Sequence, residues 1–237
     1  MINREALEYL VDLGEEKDPI LELEQGTFSI KGLDRVTKPL AAKLEIATLT
    51  GMIDYIKTNA DNLQGSLLIH VDSPREVNLY STLNEDRRRE LYVRANALLP
   101  NNIYYDRFIG TEEFNIMLQS SFVDAGDKEV LLKYTGLIKD EAVKSTGDDG
   151  VSQAVTIKTG VASVGQAVVP NPVTLAPYRT FPEIEQPLSK FIFRMQQGPK
   201  AALYEADGGA WRNQAMRSIK AYLEEELKEM KNINIIS

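Results

Sequence analysis

From Val168 to Trp211 the chain reads VVPNPVTLAPYRTFPEIEQPLSKFIFRMQQGPKAALYEADGGAW, and the prolines at its start decide what can form there. Asn171-Pro172 and Pro177 hold the backbone extended or turned on either side of Val173-Thr174-Leu175, because proline fixes φ and biases the preceding residue away from the helical region. Tyr178-Arg179-Thr180-Phe181 is therefore presented at a fixed point in space. Downstream, Phe191 to Met195 and Leu203 to Ala206 read as strands. Asp207-Gly208-Gly209 then joins a strand to the longest helix, Ala210 to Lys231, which carries Trp211, Ala215, Ile219, Tyr222 and Met230 along one side.

The preceding chain changes period several times. Ala6, Leu7, Leu10 and Val11 fall at helical spacing behind Asn3, a candidate N-cap. The runs ILELE and TFSIK then alternate around Gln25-Gly26, as in a β-hairpin. Leu44 to Ala47 suits a short strand, and Thr48 caps a helix bearing Leu49, Met52, Ile53 and Ile56 that ends at Asn59 to Asn62. Ser66 to Val71, Val77 to Leu83 and Glu90 to Leu98, separated by turn residues, form an antiparallel meander. Thr111 caps a further helix with Phe114, Met117 and Leu118 as its stripe. Val130 to Ile138 lacks helix caps and reads as a strand, followed by a hairpin around Gly147-Asp148-Asp149-Gly150 and alternation through Ile157.

These elements predict an α+β fold, mostly antiparallel sheet with helices packed on one face and a long C-terminal helix. No repeat or low-complexity linker divides residues 1–237. The chain is expected to form one α+β domain or two packed lobes, 1–124 and 125–237, with the boundary near Phe122 to Asp127. The apolar tail Ile233 to Ile236 should be buried against the sheet or against a second subunit, and a homo-oligomer, most simply a dimer, is expected.

At 43% hydrophobic and 26% charged, 237 residues are enough to bury a sizeable core. The net charge of -8 argues against non-specific binding to duplex DNA, which needs a concentrated basic surface. The absence of cysteine excludes zinc-thiolate sites, and the single histidine, His70, excludes His-rich metal centres. A metal would need oxygen ligands. No apolar stretch approaches the ~20 residues of a membrane span and no secretion signal is visible, so a cytoplasmic protein with no membrane partner is expected.

Arg179 between Tyr178 and Phe181 could clamp a phosphate or carboxylate while the rings stack on a base, with Arg212 at the start of the last helix as a fourth candidate ligand contact. The competing reading pairs Arg179 internally with Glu183 or Glu185 and places the aromatics in the core. Glu183 and Glu185, two apart on an extended segment, share a face, and Glu205 and Asp207 repeat that spacing, so the four are candidate ligands for Mg²⁺. Against this, carboxylates are usually solvated or salt-bridged. Asp207 is well suited to cap the last helix. Asp86-Arg87-Arg88-Arg89 is the dense basic cluster, with a solvated turn as its simpler reading.

The residues NPVTLAPYRTFPEIEQPLSKFIFR, with GDDGVSQAVTIKTG upstream and EADGGAW downstream, resemble the YfdQ-like family of phage and prophage proteins, chiefly from Val130 onward. The resemblance implies a viral protein of the host cytoplasm and supplies no catalytic residues. Two functions follow as expectations. One is a non-enzymatic binding protein that engages a host protein or sequesters a small nucleotide, in counter-defence or host takeover, with no cofactor. The other is a metal-dependent phosphodiesterase or nuclease of phage DNA metabolism, using Mg²⁺ on the four carboxylates.

Overall fold

The structure is a computed structural model that describes residues 3–15, 20–23, 26–29, 39–136, 154–158, 164–168, 171–196 and 198–237. Its contacts divide the chain into two units, Met1–Leu40 and Ala41–Ser237. In the first unit, helix α1 (Arg4–Glu15) begins where the Asn3 side chain accepts a hydrogen bond from the Ala6 N–H at 2.9 Å, as an Asx N-cap does. Strands β1 (Ile20–Leu23) and β2 (Gly26–Ser29) pair antiparallel with Leu23 opposite Gly26, the hairpin expected from the alternation.

The second unit opens with β3 (Leu44–Ile46), α2 (Leu49–Thr58), β4 (Leu67–Ser73), β5 (Glu76–Ser81) and β6 (Leu91–Asn96). Next come β7 (Ile109–Gly110), α3 (Thr111–Ser121), α4 (Lys128–Gly136), and the hairpin β8 (Ala154–Lys158) and β9 (Val164–Val168). It closes with β10 (Val173–Leu175), β11 (Ser189–Gln196), β12 (Lys200–Glu205), α5 (Ala210–Glu226) and β13 (Ile233–Ile236). The fold is α+β. One sheet runs β13-β4-β5-β6-β3, with the β4-β5-β6 meander antiparallel and both edge strands parallel to their neighbours; the other, β10-β11-β12-β7, is antiparallel throughout.

Each sheet buries one face, as the period-2 pattern requires. On β4, Leu67, Ile69 and Val71 turn inward beneath α2 and α5, which contribute Leu49, Met52, Ile53, Ile56, Ile219 and Leu223. On β11, Phe191, Phe193 and Met195 turn inward with Phe114, Met117 and Leu118 of α3. The segment between β10 and β11 links the two cores. Leu175 belongs to the second and Phe181 to the first, so Arg179 lies where the chain crosses between them. Thr180 secures the crossing by donating its hydroxyl hydrogen bond to the Pro74 carbonyl in the β4–β5 turn.

Local signals account for much of this. Thr48 caps α2 through the Gly51 N–H at 3.1 Å, and Asn59 ends it in the left-handed conformation. The apolar tail is an edge strand of the sheet, with Ile233 and Ile235 half-buried against the first core and Ile236 exposed, so the expected burial is only partial. Among the described residues, no helix is long and apolar enough to cross a membrane.

Four local expectations need correction or fall outside these residues. The stretch expected as a strand at Val130 to Ile138 is helix α4 over Lys128–Gly136; its buried face is Lys128, Leu131 and Thr135, a helical spacing that a count of apolar residues misses. Thr111 does not cap α3, because β7 runs straight into the helix and Gly110 occupies the cap position. The last helix stops at Glu226 rather than Lys231, with the Leu227 N–H bonded to the Leu223 carbonyl. The turn expected at Gly147 to Gly150 lies outside the described residues.

Candidate functional site

Arg179 is 3% exposed, and the loop carrying it is fixed by another buried side chain, Gln186. The Gln186 carboxamide oxygen accepts from the Arg179 and Thr180 N–H groups at 3.0 and 3.2 Å, and its nitrogen donates to the Phe181 carbonyl at 3.0 Å. With its backbone held, Arg179 donates Nη1 to Glu205 Oε1 at 2.9 Å and Nη2 to the Ser189 hydroxyl. Its guanidinium carbon lies 4.0 Å from the centroid of the Trp211 ring, close enough for a cation–π contact. Burial pulls the pKa of Arg179 down, opposed by Tyr105, Glu205 and Asp207, and the group remains a cation at any physiological pH.

This arginine borders a cavity of about 370 Å³. Its aromatic walls are Tyr105, Tyr178 and Trp211, and its charged groups are Arg75, Arg179, Arg212 and Glu205. Three of these residues carry a buried polar atom that has no hydrogen-bond partner among the described residues: Tyr105 Oη, Arg179 Nε and Trp211 Nε1. Buried donors are normally paired, and leaving one unpaired costs about 1–3 kcal/mol, so three around one cavity are unusual. Burial pushes the Tyr105 hydroxyl up to about 12, so it stays protonated and can donate. Its ring is held by stacking on Phe191 at 5.8 Å.

Arg212 comes from the first turn of α5, where the chain turns through Gly208 and Gly209 at φ 61° and 80°. A Cβ on Gly209 would lie 2.8 Å from Arg212 Nη1, so glycine is what lets this guanidinium fold back toward the Trp211 ring, 5.5 Å away. Asp207 organises the same joint from two residues before the cap. Its carboxylate accepts from the Gly209 N–H at 2.9 Å and from the Ser189 hydroxyl at 2.8 Å. Burial alone would raise its pKa, but these hydrogen bonds, the Arg179 charge and the Trp211 backbone N–H hold it below the usual value. The cap position itself is Gly209, which corrects the expectation that Asp207 would stand there.

Of the four candidate ligand contacts, Tyr178, Arg179 and Arg212 line the cavity. Phe181 does not. It is fully buried in the first core, where the Gln186-clamped turn places it. Arg179 has an internal carboxylate partner, but that partner is Glu205 at the end of β12 rather than Glu183 or Glu185. The reason is that residues 181–184 turn, with the Ile184 N–H on the Phe181 carbonyl, instead of running extended. Glu183 consequently reaches the start of α2, accepting from the Thr50 N–H at 3.2 Å, while Glu185 is exposed.

Glu205 and Asp207 thus stay together around Arg179 and Ser189, while Glu183 and Glu185 lie elsewhere, and among the described residues no group of three or more His, Asp or Glu is placed to hold a metal ion. His70 faces Asp72 at 3.7 Å on the outer face of β4. Arg87, Arg88 and Arg89 lie in an exposed turn organised by Asn84, whose side chain accepts from the Arg88 N–H. Sequence reasoning missed Arg75 and Tyr105. Arg75 reads only as part of a turn after Pro74, and Tyr105 sits in a segment without periodicity, so the cavity they complete exists only after folding. Comparison with protein-family models, curated proteins and solved structures finds no match to this chain.

Proposed function

We propose that this is a non-enzymatic binding protein whose cavity takes a small anionic ligand of the nucleotide class. The observation that carries the reading is that Tyr105, Arg179 and Trp211, each holding a buried polar atom with no hydrogen-bond partner among the described residues, line one cavity together with two exposed arginines, Arg75 and Arg212. Guanidinium and neutral O–H or N–H donors suit phosphate oxygens, and tyrosine and tryptophan faces suit a base. The Gln186 clamp and the Trp211 platform hold the donors in place before a ligand arrives, which reduces the ordering cost of binding. The likeness of this segment to prophage proteins is in keeping with sequestration of a nucleotide in an infected cell.

Trp211 is the single tryptophan, so its fluorescence reports on the cavity without a label. Titration with the ribonucleotides should quench or shift that emission, and Arg212→Ala should weaken binding by about tenfold while leaving the thermal midpoint within a degree or two of wild type. Calorimetry with Mg²⁺ alone is the contrasting measurement. Micromolar Mg²⁺ binding lost in Glu205→Gln, with no response to any nucleotide, would replace this reading by metal-dependent phosphodiester hydrolysis.

A further inference from the structure

Resting on the reading of the cavity as a ligand site, we infer that its ligand is a single nucleoside carrying a terminal phosphate monoester, recognised as a dianion, and that Arg75 and Arg212 are the residues that read the second negative charge. Three guanidinium groups border the cavity against one carboxylate, Glu205, which leaves a surplus of two positive charges at the wall. A monoanion would neutralise half of it.

The three cations are not equivalent. Arg179 is buried and ion-paired to Glu205 at 2.9 Å, so the pair is nearly neutral. Arg75 and Arg212 are exposed and make no ion pair among the described residues, so each can offer a full charge and a planar fork to a phosphate. They come from different elements, the β4–β5 turn and the first turn of α5, and meet only at this cavity. Facing groups of the opposite sign are Glu205, and behind it Asp207, which is already occupied by Ser189 and the Gly209 N–H.

Size sets the other limit. A volume of about 370 Å³ falls near the lower end of the ~300–1,000 Å³ typical of small-molecule pockets. One base, one sugar and one phosphate suit it better than a dinucleotide.

The discriminating probes are the four ribonucleoside 5′-monophosphates, each set against its own 3′,5′-cyclic form, which keeps base and sugar but has a diester that carries one charge at every relevant pH. Trp211 fluorescence and calorimetry on the full chain near pH 7.5 should show at least one 5′-monophosphate binding about tenfold tighter than its cyclic form, the effect of one further unit charge beside two guanidinium groups. That preference should shrink near pH 5, below the second phosphate pKa of about 6. Arg75→Gln and Arg212→Gln should each narrow the preference, with thermal melts showing both variants folded. Equal affinities, or a preference for the cyclic form, would overturn the dianion inference and leave the cavity a nucleotide site. Silence from all eight compounds would overturn both.

Discussion

Two arginine–glutamate pairs of nearly equal length sit in different parts of this molecule. Arg94 on β6 meets Glu76 on β5 at 3.0 Å, and Arg179 meets Glu205 at 2.9 Å. Around Arg94 the chemistry is closed: Nε also donates to Asn78 Oδ1 at 3.2 Å, and Asn78 returns a hydrogen bond to Glu76 at 2.9 Å. Both charged side chains keep about a third of their surface in water, at 32% and 29%. Arg179 is 3% exposed, lies over an indole ring, and retains an unpaired Nε beside a cavity. The distance between partners therefore says little about role. The informative quantities are how much water each charge has lost and which donors remain unspent, since a solvated pair contributes at most about 1 kcal/mol while a buried one is expensive to break.

The largest expected effect comes from removing the platform. Trp211→Ala should destabilise the protein by roughly 3–5 kcal/mol, because the ring is buried and its loss also exposes one face of the Arg179 guanidinium. Urea melts measure this directly, and a loss below about 1 kcal/mol would mean that the ring supports neither core nor arginine.

Next are the pairs themselves. Arg179→Met should cost roughly 3 kcal/mol, the low end for a broken buried pair because Glu205 keeps some contact with water, whereas Arg94→Met should cost no more than about 1 kcal/mol. Double-mutant cycles with Glu205→Gln and Glu76→Gln isolate each coupling. Equal coupling energies would erase the distinction drawn between the two regions.

The contrast also shows what a linear sequence can carry. The β4-β5-β6 meander, α2 with its Thr48 and Asn59 ends, and Trp211 at the head of α5 were all legible, because each signal is local: alternation, a capping side chain, a stripe at helical spacing. Helix α4 was not, since two of its three inward residues are Lys128 and Thr135. Lys128 is tolerated there because its ammonium donates to the Phe122 carbonyl at 2.8 Å, a partner that no periodicity reveals. The same limit applies to the site. Tyr178, Arg179 and Arg212 stood out by residue type, but Phe181 beside them faces a core, and Arg75 and Tyr105 join them only through tertiary contacts. The pairing of Arg179 with Glu205 depended on a turn at residues 181–184 that the proline-rich segment did not disclose.

Gly209→Ala should have a smaller effect, about 1 kcal/mol of stability, from forcing a side chain onto a residue at φ 80°. Its value is spatial. The added Cβ would press on Arg212 Nη1 and push that guanidinium away from Trp211 without altering any charge. Nucleotide titrations on this variant should therefore show weaker binding while the Arg94 cluster, and the stability contributed by it, stay as in wild type.

The smallest effect tests the electrostatics of the joint through pH. Asp207 has a pKa held below its ordinary value, burial being outweighed by the Ser189 and Gly209 hydrogen bonds and by the Arg179 charge. A carboxylate whose folded pKa is depressed stabilises the fold at pH above its unfolded value, near 3.9, and that contribution is lost as the pH falls through the lower folded value. Asp207→Asn keeps the shape of the side chain but has no proton to exchange, so its stability should fall less steeply than wild type as acid is added below about pH 4, with a difference of less than about 1 kcal/mol at neutral pH for so accessible a group. Because Arg179 supplies part of the depression, Arg179→Met should flatten the acid limb in part, and adding Asp207→Asn should remove the remainder that the Ser189 and Gly209 hydrogen bonds supply. Arg94→Met lies outside this set of contacts and should leave the part of the acid slope that Asp207→Asn removes in place. Thermal midpoints of these four variants between about pH 3 and pH 7 decide the matter: an acid slope untouched by Asp207→Asn, or altered as much by Arg94→Met as by Arg179→Met, would break the link between the buried arginine and the head of α5 on which the contrast between the two pairs rests.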